Sequence, residues 1–141
     1  MAMQKSSYKY ALPKKRRNQI LIIVSMLMGV NCFAESSTAS YYTVASCQRE
    51  GTSGVYTATG EKYNEQGLTC ARPWRSCLGK TYNVYNPKTN KHVFVVCNDI
   101  GPNKRLAKHG RTIDLTPYAF KMLGGDLKSG VMAVEVQEVK E

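Results

Sequence analysis

Hydrophobic residues along this chain fall in short runs, most of them too brief for anything but strands. The apolar stretch Val93–Cys97 has no alternation, which predicts that the strand His92–Asn98 is covered on both faces. Further runs predict strands over Tyr41–Gln48, Val55–Thr59, Lys80–Tyr85, Arg111–Leu115 and Val131–Val139. "NPKTNK" reads as a hairpin loop from its Asn, Pro and Lys content. One segment breaks the pattern: Thr116 is placed as an N-cap with Pro117 at the first helical position. Ala119, Phe120, Met122 and Leu123 then give an apolar face, and Gly124 and Gly125 end the helix. Six short strands and one short helix predict an all-β fold, a closed β-barrel in which no sheet edge is left open.

The beginning of the chain follows a different rule. Lys5, Lys9, Lys14, Lys15, Arg16 and Arg17 appear with no acid among them, followed by the apolar run "ILIIVSMLMGV" and then "NCFA". Basic region, hydrophobic region and small residue together read as a signal peptide over residues 1–34, cleaved after Ala34. The apolar run is about half the roughly 20 residues that a spanning helix needs, so no stable membrane insertion is expected after cleavage. Export to the periplasm or the extracellular space follows. Residues 35–141 then form one domain, led in by the polar stretch "ESSTAS" and expected to be a monomer.

Export changes the charge and the cysteine arithmetic. Residues 35–141 carry fourteen basic side chains against ten acidic ones, a net of +4 rather than the +10 of the whole chain. Nucleic acid as a partner would call for a denser basic stripe. Cys32 leaves with the signal, and Asn31 stands where a lipid-attachment signal keeps a small residue. Cys47, Cys70, Cys77 and Cys97 remain, an even number that in a small exported domain implies two disulfides and allows three connectivities. Pairing Cys70 with Cys77 and Cys47 with Cys97 is expected, because the first closes a short loop and the second staples two strands. A metal site is not expected: there is no CxxC, and neither His92 nor His109 has ligand spacing to a cysteine.

The candidate chemistry lies where the His92 strand runs out into "NDIGP". Asp99 is a carboxylate at the mouth of a small core, either a functional acid or a turn residue accepting backbone N–H bonds. In order, "TATGEKYNEQGLTCA", "LGKTYNVYNPKTNKHVFVVCNDIGP" and "GRTIDLTPYAFKMLGG" resemble the motifs of the rare lipoprotein A-like (RlpA-like) double-psi β-barrel family. The resemblance spans about residues 41–138, and expansins and barwin-like proteins share the barrel more distantly.

The resemblance implies a six-stranded double-psi β-barrel that acts on peptidoglycan or another cell-wall glycan without a cofactor. For the nearest relatives it implies a lytic transglycosylase activity. That reaction suits a single carboxylic acid, which protonates the glycosidic oxygen and then takes the proton from the muramic 6-hydroxyl as a 1,6-anhydro ring closes. Ordinary glycoside hydrolysis needs two carboxylates. Asp99 is the acid the resemblance implies, assisted by Glu61 of "TGEKY", with Asn98, Tyr63 and Asp114 as contacts around it. Read from the residues alone, Asp114 is a hydrogen-bonding residue near the helix start and Tyr63 a packing residue, while Glu61 has an exposed loop acid as its alternative.

Two positions depart from the family pattern: Arg72 stands where a histidine is usual, and Asn64 where an acid is common. Arg72 cannot exchange protons at physiological pH, although it can hold a carboxylate. Trp74 stands either to stack on a sugar ring or to shield a disulfide. The segment "NKRLAKHGR" is longer than the family usually has and holds Lys104, Arg105, Lys108 and Arg111. Two functions therefore remain: a lytic transglycosylase, or a non-catalytic expansin-like module that binds or loosens the wall.

Overall fold

The computed structural model describes residues 34–140. The leader expected over 1–34 lies, apart from Ala34, outside the described residues. Strands β1 (Glu35–Tyr41), β2 (Thr69–Arg72), β3 (Thr81–Asn86), β4 (Lys91–Ile100), β5 (Arg111–Leu115) and β6 (Val131–Glu138) close into a barrel in the order β1-β5-β2-β4-β3-β6. The six-stranded barrel is the one expected from the sequence. The pairs β1–β5 and β2–β4 are parallel and the others antiparallel.

Period-2 burial builds the core. Tyr82, Val84 and Asn86 of β3 point inward, as do Val93, Val95 and Cys97 of β4. They meet Ile113 and Leu115 of β5 and Val136 of β6. The strand expected to be covered on both faces has one covered face, since Phe94 and Val96 are exposed. An apolar residue facing water from a barrel wall costs little, so composition alone misled there. Helix α3 (Pro117–Met122) closes on the core through Ala119 and Phe120, and Thr116 caps it by accepting from the Ala119 N–H at 3.2 Å. It stops at Gly124, whose φ of +78° leaves the helical region, and a Cβ on Gly125 would come within 2.4 Å of the Phe120 ring.

Two expected strands are absent. β1 starts in the polar "ESSTAS" and ends at Tyr41, where the barrel interior needs the small Ser37, Ala39 and Ser40. Residues beyond Tyr42 form α1 (Val44–Arg49) instead of continuing the strand. A reciprocal cap starts this helix: the Ser46 N–H donates to Thr43 Oγ1 at 3.0 Å, and the Thr43 N–H to Ser46 Oγ at 2.9 Å. Val55–Thr59 has one isolated bridge, Tyr56 to Lys62, and no strand. β2, four residues with no run of its own, was not expected. Besides α3, the described residues hold two short helices, α1 and α2 (Lys104–Lys108), and a 3₁₀ turn, Arg75–Cys77.

The cysteines also depart from expectation. Cys77 is bonded to Cys97, with Cα atoms 5.8 Å apart, while Cys47 and Cys70 are free. The bond ties the 3₁₀ turn to β4, where Cys97 and Lys80 already share a backbone hydrogen bond. Cys70 is fully buried, and burial pushes its thiol up to about 12 despite the Arg72 charge nearby.

Arg72, a candidate substrate contact because it can hold a carboxylate, is packed in the barrel and holds Glu35. Its side chain is 4% exposed and its Nη2 donates to Glu35 Oε2 at 2.6 Å, which ties β2 to β1. The guanidinium lies 4.7 Å from the Tyr82 ring centroid and 5.3 Å from that of Trp74. Arg72→Ala removes the ion pair and both ring contacts, leaving Glu35 partly solvated. It is expected to cost about 2 kcal/mol in chemical denaturation. Alkylation without reductant is expected to label Cys47 in the native protein and Cys70 only after unfolding. Peptide mapping then recovers Cys77 and Cys97 in one linked species, and a Cys47-containing disulfide would contradict this pairing.

Candidate functional site

The site is a consequence of register. Along the parallel β2–β4 pair, Cys70 lies beside Cys97 but Ala71 lies beside Asp99, so Asn98 is an extra residue. Such a bulge twists the strand and re-aims the next side chain. Ala71 also pairs with Asp114 across β2–β5, and Asp114 with Ser40 across β1–β5. Asp99, Ala71, Asp114 and Ser40 thus form one row over four adjacent strands, with the Ala71 methyl as the only side chain between two carboxylates. A second bulge acts similarly on the other parallel pair, where Thr112 is skipped between Arg111 and Ile113.

Each carboxylate is held by donors. Asp99 Oδ1 accepts from the backbone N–H groups of Ala58 (3.0 Å) and Ile100 (2.9 Å), and Oδ2 accepts from the Tyr42 hydroxyl at 3.1 Å. Burial, followed by the Asp99 charge, raises the Tyr42 hydroxyl far above its ordinary value, so it stays protonated and donates. Tyr63 supports it from behind. The two rings stack at 4.5 Å, and the Tyr63 hydroxyl donates to the Tyr42 carbonyl at 2.7 Å. Burial also raises the Tyr63 hydroxyl. Asp114 Oδ1 accepts from Ser40 Oγ at 2.5 Å and from Arg111 Nε and Nη2 at 3.2 and 3.0 Å. It does not cap α3, a task that falls to Thr116.

Both carboxylates open on one cleft of about 580 Å³. One side is formed by Cys47 and Glu50 at the end of α1, another by Asn103, Lys104 and Leu106 around the start of α2. Gly101 sits against the row, close enough that a Cβ there would lie 3.7 Å from Asp114 Oδ2.

Of the residues singled out from the sequence, the structure brings Asp99 and Asp114 together on this wall. Tyr63 reaches the wall only through Tyr42. Glu61 is exposed outside the cleft lining, where it accepts from Asn98 Nδ2 at 2.8 Å, so it connects to the site through the bulge residue. Arg72 and Trp74 lie outside the cleft lining, stacked near each other beside Tyr82. Tyr42 and Ser40 were not anticipated. Tyr42 had a visible signal in the Tyr41–Tyr42 pair, whereas the role of Ser40 depends on a partner 74 residues away. Among the described residues no three His, Cys, Asp or Glu side chains cluster in a way that would hold a metal ion.

Chemically, the wall offers two carboxylates fixed on strands, with every described side-chain and backbone partner donating to them. Such a surface accepts hydroxyl groups.

Comparison with known proteins agrees with the barrel fold. A family model described as "Lytic transglycolase" matches residues 34–136. A probable endolytic peptidoglycan transglycosylase RlpA from Nostoc sp. is 32% identical over 126 residues, covering 89% of this chain and 31% of that protein. An endolytic peptidoglycan transglycosylase RlpA from Rickettsia prowazekii is 33% identical over 107 residues, covering 74% and 30%. The chain therefore spans just under a third of the length of these relatives. Among solved structures, a Streptomyces papain inhibitor superposes with a TM-score of 0.56 at 20% identity, covering 77% of this chain and 96% of that one. The expansin of Clavibacter michiganensis does so with a TM-score of 0.56 at 17% identity, covering 77% and 52%. The structural likenesses concern the fold alone. With residues 34–136 matched by the family model and a third of its residues shared with these relatives over the aligned stretch, the chain belongs to the lytic transglycolase family of RlpA-like double-psi β-barrels.

Proposed function

We propose that this domain acts on cell-wall glycan after export, and that it binds the polymer in the cleft walled by Asp99 and Asp114 as a wall-binding or wall-loosening barrel. The observation that carries this reading is the row Asp99–Ala71–Asp114. Carboxylates that are already oriented by donors present their remaining lone pairs to the cleft, and sugar hydroxyls are suited to fill them. A methyl group between the two keeps the floor low enough for a ring to approach. Family membership supports the wall as the target.

A second reading is favoured by the names of the sequence relatives, which are peptidoglycan transglycosylases. In it Asp99 gives a proton to the glycosidic oxygen as the C1–O bond breaks. It then removes the proton from the 6-hydroxyl as that oxygen bonds C1, so the acid is regenerated and no water is consumed. Tyr42 holds Asp99 in position throughout. Neither Arg72 nor Glu61 supplies a second proton carrier at the cleft in this structure.

Incubation of the purified protein with sacculi separates the two readings. Asp99→Asn is expected to reduce retention on sacculi about tenfold while leaving the fold intact, since the Asn oxygen can accept from the Ala58 and Ile100 N–H groups while its amide donates to the Tyr42 hydroxyl oxygen. Fragments with 1,6-anhydro ends from the wild type but not from Asp99→Asn would establish cleavage; absence of both retention and fragments would overturn both readings. Asp99→Ala strands the Tyr42 hydroxyl and the Ala58 and Ile100 N–H groups, and is expected to cost about 2 kcal/mol in denaturant titration. Asp99→Asn should cost much less.

A further inference from the structure

Asp99 is aimed by a segment that is not part of the barrel wall. Residues 55–63 form a tight loop, closed by the Tyr56–Lys62 bridge and by backbone bonds of 2.8 Å from the Thr57 N–H to the Glu61 carbonyl and from the Tyr63 N–H to the Val55 carbonyl. Both donors that reach Asp99 from a distance depend on this loop. Ala58, at its tip, supplies the N–H on Oδ1. Tyr63, at its base, stacks on Tyr42 and holds the Tyr42 carbonyl, and so places the hydroxyl on Oδ2. The third donor, the Ile100 N–H, is the next residue along the strand and imposes no direction from outside it.

The loop meets β4 at the bulge. The Thr59 N–H donates to the Asn98 carbonyl at 3.2 Å, and Asn98 Nδ2 donates to Glu61 Oε2 at 2.8 Å. Asn98 is 7% exposed, and its Oδ1 is buried without a hydrogen-bond partner among the described residues. Glu61 is therefore the acceptor on which this buried amide relies, while Glu61 itself is exposed. Water would serve the carboxylate nearly as well, whereas the amide without its acceptor would be stranded, so the consequence of the bond falls on Asn98. A carboxylate only accepts, which fixes the amide with its nitrogen toward the loop.

We propose that Glu61 is a positioning residue that acts through Asn98: it latches the 55–63 loop onto the bulge and so holds the Ala58 N–H on Asp99. This rests on the reading of Asp99 as a glycan contact, and it gives Glu61 neither a contact with the polymer nor a proton to carry. The latch needs an acceptor at the Oε2 position and does not need a charge. Glutamine meets that requirement, because its Oε1 accepts from Asn98 Nδ2 in the same place. Alanine does not, and it leaves the loop tip joined to the bulge only by the Ala58 and Thr59 N–H groups.

The test applies two readouts to the purified protein. Amide hydrogen exchange at Ala58 and Thr59, followed by NMR, needs no ligand. Glu61→Ala is expected to speed it about fivefold and Glu61→Gln to leave it within about twofold of the wild type. Retention on sacculi is expected to follow the same order, about fivefold weaker for Glu61→Ala and near the wild type for Glu61→Gln. Because the effect passes through Asn98, adding Glu61→Ala to Asn98→Ala should change neither readout further. Thermal melts confirm that each variant folds, and if Asn98→Ala does not, the comparison of Glu61→Ala with Glu61→Gln decides alone. Retention by Glu61→Gln as weak as that of Glu61→Ala would overturn the proposal in favour of an acid that meets the polymer, as would additive losses in the double variant. Unchanged exchange in Glu61→Ala would overturn the latch itself. The expected exchange pattern without retention of the wild type would leave the latch standing and overturn the wall-glycan reading.

Discussion

Everything at the cleft depends on the parallel pairing of β2 with β4 and the single residue that interrupts it. Without Asn98 as an extra residue, strict alternation after Cys97 would set a different residue beside Ala71. Asp99 instead arrives beside Ala71 and in line with Asp114. The barrel supports this irregularity because its neighbours are fixed on both sides: β2 is held by β5 as well as β4, and the end of β4 is tied through Cys97 to the 3₁₀ turn. A bulge on an open edge would have no such constraint.

Around that point the molecule divides its polar residues by task. Arg72, Glu35, Thr112 and Ser37 form a connected group that holds β1, β2 and β5 together: Thr112 donates to Glu35 at 2.5 Å and shares a 2.8 Å hydroxyl contact with Ser37. Tyr42 and Tyr63 stand behind Asp99, while Ser40 and Arg111 stand beside Asp114. The first group faces the barrel framework and the second the cleft. This division explains how a family position usually held by histidine can be an arginine here without placing a permanent cation in the cleft.

The parts legible in the sequence were those encoded locally. β3, β4, β5 and β6 announce themselves through apolar or alternating runs, and α3 through its cap, proline and paired glycines. Motif order carried the barrel and directed attention to Asp99 and Asp114. The parts that were not legible depend on distant partners. β1 is built from Ser and Thr because β5 and β6 crowd it on both sides, and β2 has only four residues because the barrel wall is already supplied by its neighbours. The cysteine pairing failed for a related reason, since loop length favoured Cys70 with Cys77 whereas the 3₁₀ turn points Cys77 toward Cys97. Glu61 and Arg72 were chosen from motif position, which does not say on which side of the wall a side chain emerges.

The Ala71 column has a further consequence for selectivity. Asp99 and Asp114 are carried by strands on either side of one intervening strand, so sheet geometry sets their Cα atoms roughly 9–10 Å apart, two interstrand spacings. A loop could adjust such a separation to its ligand; a closed barrel cannot. The pair therefore behaves as a rigid ruler, and discrimination among polymers would come from whether successive sugars match its fixed pitch, not from any closing of the protein around them.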